Sequence, residues 1–272
     1  MFSPMNVEFY EDPDAFLERA GRFLAAHIQA YSIIATQARK PRGPEPYWFA
    51  VISDEEIRGC AMRTHPSGAL FVPTLGDAAL SALSAALRGH GVTAANGDLD
   101  SCLALVPNPV VKVHTRRFVL DEVIWPTRPH GELRQATHDD LELVRRWREQ
   151  FHWDSELQGG RTPELVDPYG AGLEDKIPNH WIWEVDGQPV HMSAMQDTGL
   201  GLQRIGPVFT PEEHRGRGYA AWVVATLSQR ALDAGDTPSL YTDQANPVSN
   251  KIYQRIGYYA VADEGEVESM ST

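Results

Sequence analysis

The sequence predicts an α+β (α/β mixed) protein of two similarly built domains, each a mixed, mostly antiparallel central sheet flanked by helices. Three observations predict it. The second half alternates strand-period and helix-period segments around one clear hairpin signal. The first half repeats that order more faintly. A proline- and glycine-bearing stretch, Trp125-Pro126-Thr127-Arg128-Pro129-His130-Gly131, divides the chain nearly in half. The expected domains are therefore residues 1–126 and 131–272, and the shared order suggests an internal duplication.

In the second half, Glu132 to Ala136 reads as a short strand. Thr137-His138-Asp139-Asp140 supplies an N-cap with an acidic residue three positions on. The helix that follows places Leu141, Val144, Trp147 and Phe151 on one face. A looser helical stretch is expected from Pro163 to Ile177. Trp181 to Val185 is a strand, Asp186-Gly187 a two-residue hairpin turn, and Pro189 to Met195 the returning strand. Leu202 to Thr210 is a further strand. Gly218 to Ala234 is a helix with Ala220, Val224, Leu227 and Ala231 inward. Ser239 to Thr242 is a strand, Asn246 to Ile256 a helix, and Tyr258 begins the last strand.

In the first half, Val7 to Tyr10 is a strand, followed by a helix with Phe16, Ala20, Phe23 and His27 on one side. Tyr47 to Ile52 and Ile57 to Arg63 form a strand pair. Leu70 to Pro73 matches the later strand at Leu202 to Thr210. A helix from Asp77 to Arg88 buries Leu80, Leu83 and Leu87 and stops at Gly89. Val111 to Leu120 closes as a strand.

Composition bounds the function. The chain has 272 residues, 42% apolar and 22% charged, which suits globular cores. No apolar run approaches the ~18 residues of a membrane helix, and the first residues do not read as a secretory signal, so a cytoplasmic protein is expected. The net charge of −13 disfavours nucleic acid as a partner and would attract cationic amines. Cys60 and Cys102 have no partner cluster, and the ten histidines show no metal-binding spacing with a carboxylate, so neither a disulfide nor a metal site is expected.

The chemistry-bearing segment runs from Ile205 to Ala221. A strand ends, a short basic and glycine-rich turn follows (Arg215-Gly216-Arg217-Gly218-Tyr219-Ala220), and an amphipathic helix begins. A helix start offers unpaired N–H groups and the positive dipole end, glycines allow close approach to the backbone, and arginines add charge. That combination suits a pyrophosphate. No Gly-Lys-Ser/Thr follows, so the turn is not a Walker loop. Gly216, Gly218 and Ala221 spell a permissive dinucleotide fingerprint, but a hairpin precedes the turn where that fingerprint needs a parallel βαβ unit.

Arg215 to Ala220 resembles the Arg/Gln-x-x-Gly-x-Gly/Ala signature of the GNAT acyltransferase superfamily. Asn246-Pro247-Val248-Ser249-Asn250-Lys251-Ile252-Tyr253-Gln254-Arg255-Ile256-Gly257-Tyr258 is similar to the family's Asn-x-x-Ser/Ala-x-x-x-Tyr-x-x-x-Gly-Phe/Tyr segment. The match covers roughly Gly131 to Ala262. In the first half, Thr74-Leu75-Gly76-Asp77 stands where the turn would fall, so that half resembles a degenerate copy without a cofactor motif.

The resemblance implies an N-acetyltransferase that moves an acetyl group from acetyl-CoA, without a metal, to a primary amine of a small molecule or peptide. Amides from Gly216 to Ala221 would hold the pyrophosphate, with Arg215, Arg217, Tyr219 and Ala220 in the same turn. Backbone N–H groups of Val208, Phe209 and Thr210 would serve the acetyl and pantetheine parts. Pro207 would mark a bulge that splays the strand from its neighbour. Tyr253, two helical turns beyond Asn246, would be the general acid for the departing thiolate, and Ser249 shares its helix. The base position common in the family reads Gln203-Arg204-Ile205 here, without a carboxylate. Glu184, His191 and Asp243 are the candidates for the base. His152-Trp153-Asp154 would line the acceptor side. Transfer of another acyl group, or coenzyme A binding without catalysis, are the alternative readings.

Overall fold

The computed structural model describes residues 4–39, 48–63, 68–158 and 172–270; side chains at 157, 158 and 247–249 are outside that description. The chain divides into two units, Met1–Thr115 with Ala262–Thr272, and Arg116–Val261.

The first unit contains strands β1 (Asn6–Tyr10), β2 (Trp48–Ser53), β3 (Ile57–Arg63), β4 (Leu70–Val72) and β5 (Ala94–Asp98). Its helices are α1 (Pro13–Ala26), α2 (Ile28–Arg39), α3 (Asp77–Ala86) and α4 (Leu99–Leu105). Strands β1 to β4 pair antiparallel in succession, and β4 pairs parallel with β5. The core gathers Ala50, Ile52, Leu70, Val72, Leu83, Ala95, Cys102 and Val267. Both cysteines are free and buried, and burial pushes each thiol up to about 12. Of the face expected on α1, Phe16 and Ala20 are buried as placed, whereas Leu24 is buried in place of Phe23, which is half-buried, and His27, which is exposed. The helix ends at His27 because a second helix, α2, starts one residue later and carries its own buried face of Tyr31, Ile34, Ala35 and Ala38.

The strand β6 (Pro109–Val119) leads into the second unit. There follow β7 (Glu132–Gln135), α5 (Leu141–Gln158), α6 (Leu173–Lys176), β8 (His180–Val185), β9 (Gln188–Asp197), β10 (Leu202–Phe209), α7 (Tyr219–Asp233), β11 (Thr237–Asp243), α8 (Pro247–Arg255) and β12 (Tyr259–Ser269). The pairing repeats that of the first unit: β7 to β10 antiparallel in succession, then β10 parallel to β11. The hairpin turn at Asp186-Gly187 has both residues at positive φ, 50° and 73°, as a two-residue turn of that hand requires. Most of the stretch expected as helix from Pro163 lies outside the described residues; α6 and a following 3₁₀ turn occupy its end.

The boundary differs from the expected one. It falls at Thr115/Arg116 rather than in the Trp125–Gly131 stretch, and the last eleven residues belong to the first unit. The reason is in the sheet: Glu264–Glu268 pair antiparallel with Ala94–Asp98, and Val267 is fully buried in the first unit's core. Phe118, Leu120 and Val123, in turn, pack into the second unit's core with Trp183, Val223, Leu227 and Leu240.

Two packing faces position the site. On one side of the second unit's sheet, α7 covers Ile205 and Leu240. On the other, α5 buries Val144 and Trp147 against Ile182, Met192 and Phe209. Leu141 and Phe151 pack on the same cluster, so the predicted stripe is the observed one. The start of α5 is fixed by a capping box between Thr137 and Asp140. On α7, Tyr219 takes an inward place expected for Ala220, which is only half-buried.

Candidate functional site

The strand β10 changes phase partway along. Its register against β9 shifts between Ile205 and Val208, at a cis Gly206–Pro207 peptide. Ile205 and Val208 both pack on the α7 side, whereas Phe209 packs on the α5 side. One extra residue in the bulge accounts for this, because a slip of one residue exchanges the faces.

The pairing of β10 with β11 is confined to one end: Leu202↔Thr237, Gln203↔Pro238 and Arg204↔Ser239. Beyond Arg204 the two strands run on to Phe209 and Asp243 with no further paired residues. The backbone groups of β10 on that side are left for something other than β11. Val208, Phe209 and Thr210 lie along this unpaired stretch, and Pro207 stands in the bulge at its root.

Past Thr210 comes the turn. Gly216 and Gly218 adopt φ of +76° and +83°, and a Cβ added at either would meet nothing within 4 Å. Gly218 is the N-cap of α7 and has no side chain to cap it. The first intrahelical bond there runs from Trp222 N–H to Gly218 O at 3.1 Å. The amides of Tyr219, Ala220 and Ala221 thus begin a 15-residue helix without a side-chain cap, and the ground before them is open.

The arginines are placed differently from each other. Arg215 donates from Nε to Thr210 O at 2.9 Å, and its Nη2 meets the Asp154 carboxylate on α5. Arg217 donates to Glu213 O at 3.1 Å on the exposed surface. Arg215 braces the turn to the end of β10 and to α5, so its charge is shared with Asp154 rather than left wholly for a phosphate. Of the expected acceptor-side trio, Asp154 is therefore drawn to the turn, while Trp153 stays 41% exposed.

The second segment closes beside it. Asn246 N–H donates to Asp243 O at 3.0 Å, and Asn250 Nδ2 donates to Asn246 O at 3.0 Å, while Asn250 also meets the Thr242 hydroxyl. Asn250 is a clamp that sequence reading missed; only its place within the Asn246–Tyr258 segment pointed to it. Tyr253 is buried in the core on the α7 side, edge-on to Tyr258 with ring centroids 6.1 Å apart. Burial pushes its phenol well above its usual pKa, which keeps it protonated. The side chain of Ser249 lies outside the described residues.

The three base candidates are scattered. Glu184 accepts from Arg134 Nε at 2.8 Å, and Arg134 also binds both oxygens of Asp140, so this carboxylate belongs to the network that holds the start of α5. His191 is fully buried beneath α7. Its Nδ1 lies 2.8 Å from Thr210 Oγ1 and its Nε2 2.8 Å from Ser193 Oγ, and burial lowers its pKa to about 3. Both ring nitrogens are engaged, which leaves it no lone pair for an amine. Asp243 ends β11 beside the slot, where its carboxylate accepts from Ala245 N–H at 2.8 Å.

At the corresponding place in the first unit the two strands do not part. Every residue of β4 pairs with β5, through Val72↔Gly97. Gly97 sits at φ +124°, and a Cβ there would lie 2.1 Å from Val72 O, so the two strands approach as closely as only glycine permits. The connection to α3 is Pro73-Thr74-Leu75-Gly76, without a basic residue, and Asp77 puts a carboxylate in the helix's first turn.

Comparison with known proteins agrees with this geometry. Residues 194–266 match the family model of FR47-like protein. No curated protein matches the sequence. A GNAT-family acetyltransferase from Colwellia psychrerythraea superposes with a TM-score of 0.60 at 12% identity, over 97% of this chain and 100% of that one. A tandem GNAT protein from the clavulanic acid biosynthesis pathway gives a TM-score of 0.60 at 12% identity, over 98% and 100%. A GCN5-related N-acetyltransferase from Kribbella flavida gives 0.52 at 16%, over 93% and 96%. The chain has the GNAT fold.

Proposed function

We propose that the second unit transfers an acyl group, acetyl in the first instance, from acyl-CoA to an amine by direct attack. The observation that supports this best is the parting of β10 from β11 beyond Arg204↔Ser239, followed at once by the uncapped start of α7. A pantetheine arm fits between strands that part, and a pyrophosphate fits an open, glycine-lined helix start. Those two groups are joined in coenzyme A in that order.

Along Val208, Phe209 and Thr210, the N–H groups that alternation turns toward the β11 side, where pairing has ended, would support the pantetheine amides and the oxyanion that forms when the amine attacks the thioester carbon. Thr210 is steadied for this from two directions, by His191 on its hydroxyl and by Arg215 on its carbonyl. When the tetrahedral adduct collapses, the C–S bond breaks and the thiolate takes a proton from Tyr253, whose phenol then recovers one from solvent before the next turnover. The amine's proton passes to solvent or to Asp243, the one base candidate on a strand that lines the slot. The first unit we assign no cofactor, because its β4 and β5 stay paired throughout.

Thiol release from acetyl-CoA, measured against a panel of small amines and a peptide amine, tests the reading. Tyr253→Phe should lower kcat by about 100-fold or more while leaving the Kd for CoA within about twofold. Tight cofactor binding with no turnover on any amine would favour a sensing module instead.

A further inference from the structure

At the root of the slot, two buried polar groups have no partner among the described residues. Arg204 Nη2 and Ser239 Oγ are both sealed from solvent and make no hydrogen bond there. Ser239 is 1% exposed. They are register partners, the last pair before β10 and β11 separate. Their neighbours Ile205 and Leu240 pack under α7, so alternation turns Arg204 and Ser239 to the opposite face. The guanidinium carbon of Arg204 lies 5.9 Å from the centroid of the Tyr241 ring, one alternation further along β11 on that same face.

Buried donors are almost always satisfied, and an orphaned guanidinium nitrogen beside an orphaned hydroxyl calls for an acceptor. A guanidinium nitrogen and a hydroxyl on register-paired residues of one face are donors suited to the two oxygens of a carboxylate. Its position says which molecule would bring one. On β10 the amides of residues 208–210 lie between the α7 turn and Arg204. A chain anchored at the turn and laid along the slot therefore points its acyl end toward Arg204.

We propose that Arg204 and Ser239 form a carboxylate-recognition site at the root of the slot, reading a carboxylate on one of the two reactants. The carboxylate belongs either to the amine acceptor, as in an amino acid, or to the acyl group, as in a dicarboxylic acyl-CoA. This rests on the acyl-transfer reading above. It also accounts for an arginine at the place where a carboxylate base would otherwise be expected.

The test uses the full chain in two arms. In the first, acetyl-CoA is paired with glycine against glycinamide and β-alanine against β-alaninamide, with rates corrected for the free-amine fraction. In the second, succinyl-CoA is compared with acetyl-CoA on benzylamine. The expected result is a preference of about 10- to 100-fold in kcat/KM for the carboxylate in one arm. Arg204→Gln should abolish that preference, and Arg204→Lys should retain part of it, with CoA affinity unchanged in both. No preference in either arm, or one that survives in Arg204→Gln, overturns the proposal. A readout independent of turnover is the thermal shift on adding succinate. Stabilisation of the wild type and not of Arg204→Gln supports the site, and equal response of the two overturns it. Calorimetric titration with CoA reports separately on the acyl-transfer reading, so its failure is distinguishable from failure of the carboxylate site.

Discussion

Two buried histidines link single residues to the behaviour of the fold. His191 is held neutral between Ser193 and Thr210. His180 places Nε2 2.7 Å from Arg148 and Nδ1 2.9 Å from Lys176 O, so it too is neutral, accepting from the guanidinium and donating to the carbonyl. Burial, and for His180 the adjacent Arg148 charge, lower the pKa to about 4 for His180 and about 3 for His191, against 6.5 for a free side chain. The folded pKa values lie below the unfolded ones. As pH falls through about 6.5 the unfolded chain takes up protons that the folded chain refuses, so stability declines from there toward about 4 and 3. Above about 6.5 neither residue contributes a slope. The expected loss is up to about 1.4 kcal/mol per pH unit for each histidine. Urea unfolding at pH 7.5 and pH 5 measures it, and His191→Gln should remove about half of the difference.

At the scale of elements, the sequence was most readable where one local rule governs. The Thr137–Asp140 cap, the Leu141/Val144/Trp147/Phe151 stripe and the Asp186-Gly187 turn each depend on neighbours in the chain, and each stands where the pattern put it. The helix α2 was not read, nor were β5 and α4. The strand β5 is Ala-Ala-Asn-Gly-Asp, whose weak strand propensity is overridden by pairing with β4 on one side and Glu264–Glu268 on the other. The turn before α7 was legible as an anion cradle, but the bracing of Arg215 by Asp154 was not, because those residues are far apart in sequence. The turn also makes a prediction. Gly218→Val must hold a β-branched residue at φ +83° and place its side chain in the open ground before the helix amides. CoA affinity should fall at least about tenfold, while the thermal midpoint drops only by the equivalent of about 1–2 kcal/mol.

At the scale of the whole chain, two units share one order of strands and helices and one pairing scheme, yet differ where a cofactor would enter. In the second, β10 pairs with β11 over three residues and then parts from it; in the first, β4 and β5 stay joined to the last residue of β4. The shared order of elements was visible in the sequence. The return of residues 262–272 to the first unit was not, because strand pairing over that separation leaves no local mark. No described helix is long and apolar enough to cross a membrane. The central claim is that one unit alone is open to an acyl-CoA. Calorimetric titration of the full chain with CoA tests it most directly: the account predicts one binding site per chain, and two sites, or none, would contradict it.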